Sequence, residues 1–141
     1  MSGLDDRGSE GTMKYLCLIY QNEAEVDAMP ERDYDEIVRD VLDYRRELQE
    51  SGHYIASSPL QSVQTATTIR VRNGKVVITD GPFAETHEQL GGFYLIEATD
   101  LNDAIRIVSR MPPARIASIE VRPLKVFPQE LEALAAKEGG R

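Results

Sequence analysis

Two short runs constrain this chain more than anything else in it. Lys14 to Tyr20 and Phe93 to Glu97 are apolar at almost every position. A strand of that composition is buried on both faces, whereas a half-exposed strand alternates. A buried helix segment has the same composition over so few residues. The polar Gln21-Asn22-Glu23 ends the first run at strand length, and Gly91-Gly92 opens the second. Any fold for this chain must therefore cover two central strands from both sides.

The helices available for that cover are few. Asp33 to Glu50 carries Ile37, Val38, Val41, Leu42 and Leu48 at helical spacing, with Tyr34 a turn earlier. Asp33 followed by Glu36 resembles a capping box, and Ser51-Gly52 is a stop signal. Arg45 lies closer to the apolar stripe than the other charges; it is read as a snorkelling stem or as a contact for a ligand anion. Asp100 reads as an N-cap with Asp103 in the first turn, and Leu101, Ala104, Ile105 and Val108 then share a face up to Met111-Pro112-Pro113. Pro128 to Lys137 reads as a short C-terminal helix whose Leu131, Leu134 and Ala135 dock on a neighbouring surface.

The remaining strands are marked by turn chemistry. Thr67 to Arg72 alternates, Asn73-Gly74 follows, and Lys75 to Thr79 is again β-branched. Asn-Gly between such runs is the strongest short-range hairpin signal. Ile116 to Arg122 is a last strand closed by Pro123. His53 to Ala56 reads as a short strand or extended edge, and Ser57 to Ser62 as a loop. His53 itself suits a helix end. The resulting order is a split β-α-β-β-α-β arrangement of the α+β class with an extended middle hairpin. Two helices cover one face of such a sheet. A second copy of the same sheet is the economical cover for the other, so a homodimer is expected.

Between Val76–Thr79 and Phe93–Glu97 lies the stretch Asp80 to Gly92, which joins turn residues to ionisable groups. Gly81-Pro82 cannot continue a strand. Asp80 stands just before it and Glu85, Thr86, His87 and Glu88 beyond it, and a loop with acids and a histidine on a rigid scaffold is a place to look for function. Asp80 is the first candidate for a general acid or base, with His87 beside it, since partial burial raises a carboxylate into the working range. The competing reading has Asp80 accepting backbone N–H groups to hold the turn. Glu85, His87 and Glu88 are few and close for a metal set, and no metal or cofactor is expected. Tyr20 and Tyr94 are core tyrosines or pocket hydroxyls. The full set of ligand-contact candidates is Tyr20, Arg45, Asp80, Phe83, Glu85 and Tyr94.

Sixteen Lys and Arg against 24 Asp and Glu leave the chain at −8, which argues against nucleic acid and anionic membrane surfaces as partners. The single cysteine, Cys17, excludes an intrachain disulfide and sits mid-strand, where a core role fits better than a reactive thiol. With no apolar run of membrane-spanning length, a cytoplasmic location is expected. Residues 1–12 read as a disordered tail, 13–124 as one domain and 125–141 as a C-terminal helix and tail.

Met13-Lys14-Tyr15, Leu18-Ile19-Tyr20, Thr65 to Gly74, the whole of Asp80 to Ile96 and Val121-Arg122-Pro123 together resemble the YCII-related superfamily, specifically its DGPF branch. The resemblance implies a ferredoxin-like fold pairing into a dimeric α/β barrel. It implies little about activity. Some relatives are linked with extracytoplasmic-function sigma factors, and a few members resemble muconolactone-isomerase-type enzymes that use a helix histidine and a pre-proline aspartate. Those two positions fall near Val41 and Met111 here, and His87 stands where the branch commonly has lysine. Two readings stay open: a binder of a small organic ligand with isomerase- or lyase-like acid/base chemistry, and a non-catalytic accessory or regulatory module.

Overall fold

Residues 11–126 and 128–139 are described by a computed structural model. Four antiparallel strands form the main sheet: β1 (Met13–Gln21), β2 (Tyr54–Pro59), β5 (Gln89–Ala98) and β6 (Ser118–Pro123), in the order β2-β5-β1-β6. The two apolar runs are the two central strands, as their composition demands. Two major helices, α2 (Glu31–Ser51) and α3 (Leu101–Ser109), connect β1 to β2 and β5 to β6. This is the split β-α-β-β-α-β order.

The core lies between that sheet and its helices. Tyr15, Cys17 and Ile19 of β1 alternate with residues of the other face, as do Tyr94, Ile96 and Ala98 of β5. They pack with Tyr44 and Leu48 of α2 and Ala104, Ile107 and Val108 of α3. Cys17 is fully buried, and burial pushes its thiol up to about 12, so it is a packing residue. The opposite residues, Leu16, Leu18, Tyr20, Phe93 and Leu95, are only half-buried.

Several boundaries differ from the sequence reading. The hairpin strands β3 (Thr67–Arg72) and β4 (Lys75–Asp80) do not join the main sheet; they form a separate two-stranded ribbon. Their turn is as expected, with Asn73 and Gly74 both at positive φ. The fourth sheet strand is β2, which absorbs residues read as a loop, because it pairs with β5 through Ser57, Ser58 and Pro59. A short helix α1 (Glu23–Asp27) was not expected; Asn22 caps it by accepting the Glu25 N–H at 3.0 Å. Helix α2 starts after Pro30 rather than at Asp33, with the Pro30 carbonyl accepting the Tyr34 N–H at 3.0 Å. It ends on Gly52 in the left-handed region, φ 83°, which favours glycine. Asp100 caps α3 as expected, accepting from the Asp103 N–H at 2.9 Å. The last helix, α4 (Gln129–Gly139), leaves Leu134 half exposed rather than docked. The expectation for Leu131 and that for the first ten residues lie outside the described side chains and residues.

Candidate functional site

Helix α2 meets the sheet along only part of its length. Tyr44 and Leu48, in its C-terminal half, are buried. Tyr34, Val38 and Leu42, further toward its start, are apolar and yet substantially exposed, and Ile37 and Val41 are half-buried. Where the helix stands away, a cavity of about 360 Å³ opens between it and strands β1, β5 and β2. That volume is at the small end of the range for organic ligands.

The floor is shaped by Gly91 and Gly92. The pairing of β1 with β5 shifts here, from Ile19 opposite Gly92 to Tyr20 opposite Leu90, which leaves Gly91 as a bulge. A Cβ at Gly91 would lie 2.5 Å from Gln21 Nε2, and one at Gly92 would lie 3.1 Å from the Ser58 carbonyl oxygen. Both residues line the cavity and put no side chain into it. The wall is α2, with Ile37, Val38, Val41 and Leu42, and Pro113 and Ile116 close one side.

Polar side chains line both ends, Gln21 and Tyr34 at one and Arg45, Ser57 and Tyr94 at the other. Arg45 of α2, Ser57 of β2 and Tyr94 of β5 all line the cavity, and register places Ser57 directly beside Tyr94. Tyr94 is 3% exposed, yet its hydroxyl has no hydrogen-bond partner among the described residues. No sealed side-chain oxygen or nitrogen among them lacks a partner, so the Tyr94 hydroxyl opens into the cavity. Burial pushes its phenol above the ordinary 10.0, Tyr54 adds to the rise, and the Arg45 guanidinium opposes it. Tyr94 is thus a protonated donor at neutral pH. Tyr44 is the contrast: its hydroxyl donates to the Ile107 carbonyl at 2.7 Å, and the Arg110 guanidinium lies 5.1 Å from its ring centroid. Half-buried Arg45 forms no ion pair among the described residues, while Arg46, Arg106, Arg110 and Arg115 each bind a carboxylate. Ser57 Oγ is 2.8 Å from Tyr54 Oη.

At its other end the cavity adjoins a more open depression of about 370 Å³, with which it shares Gln21, Val26, Tyr34, Leu60 and Gly91. Its rim carries Glu23, Asp27 and Glu31. Glu23 is engaged, accepting from Ser62 Oγ and the Val63 N–H, each at 2.9 Å.

The family model of the YCII-related domain matches residues 13–128. The chain belongs to the YCII-related family. An uncharacterised protein of Rhizobium meliloti (strain 1021) is similar to it, 37% identical over 123 residues, which is 84% of this chain and 98% of that protein. In this YCII-related chain, Val41 lines the cavity, near the position where the superfamily resemblance puts a helix histidine. Met111, near the expected aspartate, is buried. Neither transfers a proton.

Of the residues singled out from sequence, the cavity brings together Arg45 and Tyr94. Tyr20 is half-buried and faces the other side of the sheet. Asp80, Phe83, Glu85 and His87 are exposed and lie at or beyond the end of the β3–β4 ribbon, outside the cavity lining. The Asp80 carboxylate makes no hydrogen bond among the described residues. The turn after it is held instead by the Gly81 N–H on the Ala66 carbonyl, 2.7 Å, and the Thr68 hydroxyl on the Gly81 carbonyl, 2.8 Å. Phe83 stacks under Arg70, 5.1 Å from guanidinium carbon to ring centroid. No group of three or more His, Cys, Asp or Glu among the described residues could hold a metal, and no described helix is long and apolar enough to cross a membrane. Sequence reasoning missed Ser57, because its place beside Tyr94 depends on strand register.

Proposed function

We propose that this YCII-related protein binds a small organic ligand in the cavity between α2 and the sheet. The observation that carries the reading is the Tyr94 hydroxyl, deep in the fold, donor-competent and unpartnered, in an otherwise mostly apolar chamber. Buried hydroxyls are normally satisfied, and one without a partner at a cavity wall marks a place where a ligand or water completes it. Among the described residues the cavity lining carries no carboxylate or imidazole, which favours binding over isomerase- or lyase-like proton transfer. The Asp80-Gly81-Pro82-Phe83 quartet supports placement in the DGPF branch.

Two copies of the chain pair through the open sheet face. Leu16, Leu18, Phe93 and Leu95 form its half-buried apolar centre, and Glu120 and Arg122 of β6 form a polar margin, the layout of an interface with a dry middle and wet rim. The ribbon supports the same reading. Ile69 opposite Ile78 and Val71 opposite Val76 give it an apolar face that is mostly exposed in one chain, and an isolated two-stranded hairpin is marginal in water. Light scattering should return roughly twice the chain mass; a monomer at micromolar concentration removes this part of the proposal.

The ligand itself is sought by thermal shift against a metabolite library, repeated on Val41→Trp, which fills the chamber. A compound that stabilises the native chain and not the variant supports the site. Hits that stabilise both equally place the ligand elsewhere. A stoichiometric sigma factor recovered from lysate, with no hit in the library, favours the accessory-module reading.

A further inference from the structure

We infer that the cavity selects a small amphipathic monocarboxylate, with its carboxylate at Arg45, Tyr94 and Ser57 and its apolar body along Val38 and Val41. The inference rests on the cavity being the ligand site, as proposed above, and adds the chemical class.

The charge count sets the head group. Among the described residues Arg45 is the one cation lining the cavity, and it has no carboxylate partner among them, in a chain where acids outnumber bases. A guanidinium presents a planar fork that matches a carboxylate. Tyr94 supplies a second donor. Ser57 supplies a third: when Tyr54 donates across their 2.8 Å contact, the Ser57 proton is free for the ligand. One cation and two neutral donors balance a single negative charge. A phosphate dianion would call for a second cation or a nest of backbone N–H groups, and the nearby turn that begins Pro112-Pro113 has no N–H at either proline.

Direction follows from the helix. Tyr34 and Arg45 are eleven residues apart on α2, about 16 Å along its axis. The donors lie at the Arg45 end, beside the buried Tyr44 and Leu48. The Tyr34 end opens on the depression that carries exposed Asp27 and Glu31. A ligand with its carboxylate at Arg45 therefore points its tail at an acidic rim. A second carboxylate on that tail would meet like charge, so dicarboxylates are disfavoured.

The test uses the full chain and measures affinity by calorimetry for octanoate, octanol, octanamide and the dicarboxylate suberate, with phenylpropionate as a ring-bearing monocarboxylate. Octanoate or phenylpropionate should bind at least about tenfold more tightly than the neutral compounds, as expected for hydrogen bonds to a charged group, and suberate should bind more weakly than octanoate. Arg45→Met should erase the preference for the acid over octanol. Tyr94→Phe should weaken the acid about tenfold with no fall in melting temperature, which keeps the test valid if Arg45→Met folds poorly. Octanol binding as well as octanoate overturns the class and leaves the cavity as a binding site. Acid binding unchanged in both variants overturns the role of Arg45 and Tyr94. No binding of any probe at millimolar concentration, together with an empty library screen, overturns the cavity reading itself.

Discussion

Replacing each of the two buried tyrosines by phenylalanine should separate a structural hydroxyl from one held open for a ligand. Both rings are core residues, 7% exposed at Tyr44 and 3% at Tyr94, and both substitutions keep the ring. The Tyr44 hydroxyl donates to the Ile107 carbonyl at 2.7 Å. Its loss removes one net hydrogen bond, worth about 1 kcal/mol. The penalty stops there because the same carbonyl also accepts the Arg110 N–H, at 3.2 Å, and is not left bare. The Arg110 contact with the ring survives, since phenylalanine offers a π-face too. For a chain of 141 residues the expected fall in melting temperature is roughly 3–5 °C. The Tyr94 hydroxyl has no partner among the described residues to lose, so Tyr94→Phe should change stability by less than about 0.5 kcal/mol, or raise it slightly, by removing a buried polar group. Paired denaturant melts of the ligand-free chain measure both. A loss of about 1 kcal/mol or more at Tyr94, matching Tyr44, would mean that its hydroxyl bonds within the protein. The case for an open donor would then fail.

Three further outcomes follow from local chemistry. Burial holds the Cys17 thiol at about 12 in the folded chain against an ordinary 9.0. Its contribution to stability is full below the unfolded value and is lost as the pH rises through that window, because the unfolded chain sheds the proton first; the loss reaches about 1.4 kcal/mol by pH 10. Cys17→Ala should flatten this alkaline slope in denaturant melts, whatever it costs at neutral pH, and an unchanged slope refutes the assignment. The Asp103 carboxylate is held below its ordinary 3.8 chiefly by the Thr99 N–H, 2.9 Å away, and then by Arg106. Its folded-state value is lowered, so its contribution is present above 3.8 and lost as the pH falls through the depressed value. Asp103→Asn should therefore weaken the chain at neutral pH and reduce the acid dependence of its stability. Gly81 sits at φ 105°, a conformation L-residues rarely adopt. Gly81→Ala should cost about 1–2 kcal/mol, visible as a drop in denaturant midpoint; no drop would mean that the turn relaxes.

Local signals were legible in proportion to how local their physics is. Asn73-Gly74 specifies its turn because both residues tolerate positive φ, and the ribbon forms as expected. Asp100 caps α3 and Gly52 ends α2 for equally local reasons. Helix α1 was missed although Asn22 stands three residues before Glu25, a usable capping signal. The strand at Tyr54–Pro59 was under-read because two serines and a proline carry weak strand propensity, and pairing with β5 overrides it. At the site, the density of acids around Asp80 and His87 drew attention to an exposed segment, since composition does not report burial. Arg45 and Tyr94 were legible as candidates, but nothing in the chain order says that Ser57 joins them.

The α+β class and the two inner strands of the sheet follow from hydrophobic patterning alone. Runs that are apolar at almost every position leave no other place for Lys14–Tyr20 and Phe93–Glu97, and the helix periods set which faces cover them. The gap between the first half of α2 and the sheet, the floor left by the Gly91 bulge and the bare Gly92, and the meeting of a β5 hydroxyl and an α2 arginine in one cavity arise from packing in three dimensions. Those facts are matters of register and of distance between elements remote in the chain. Neither is encoded in any window of neighbouring residues.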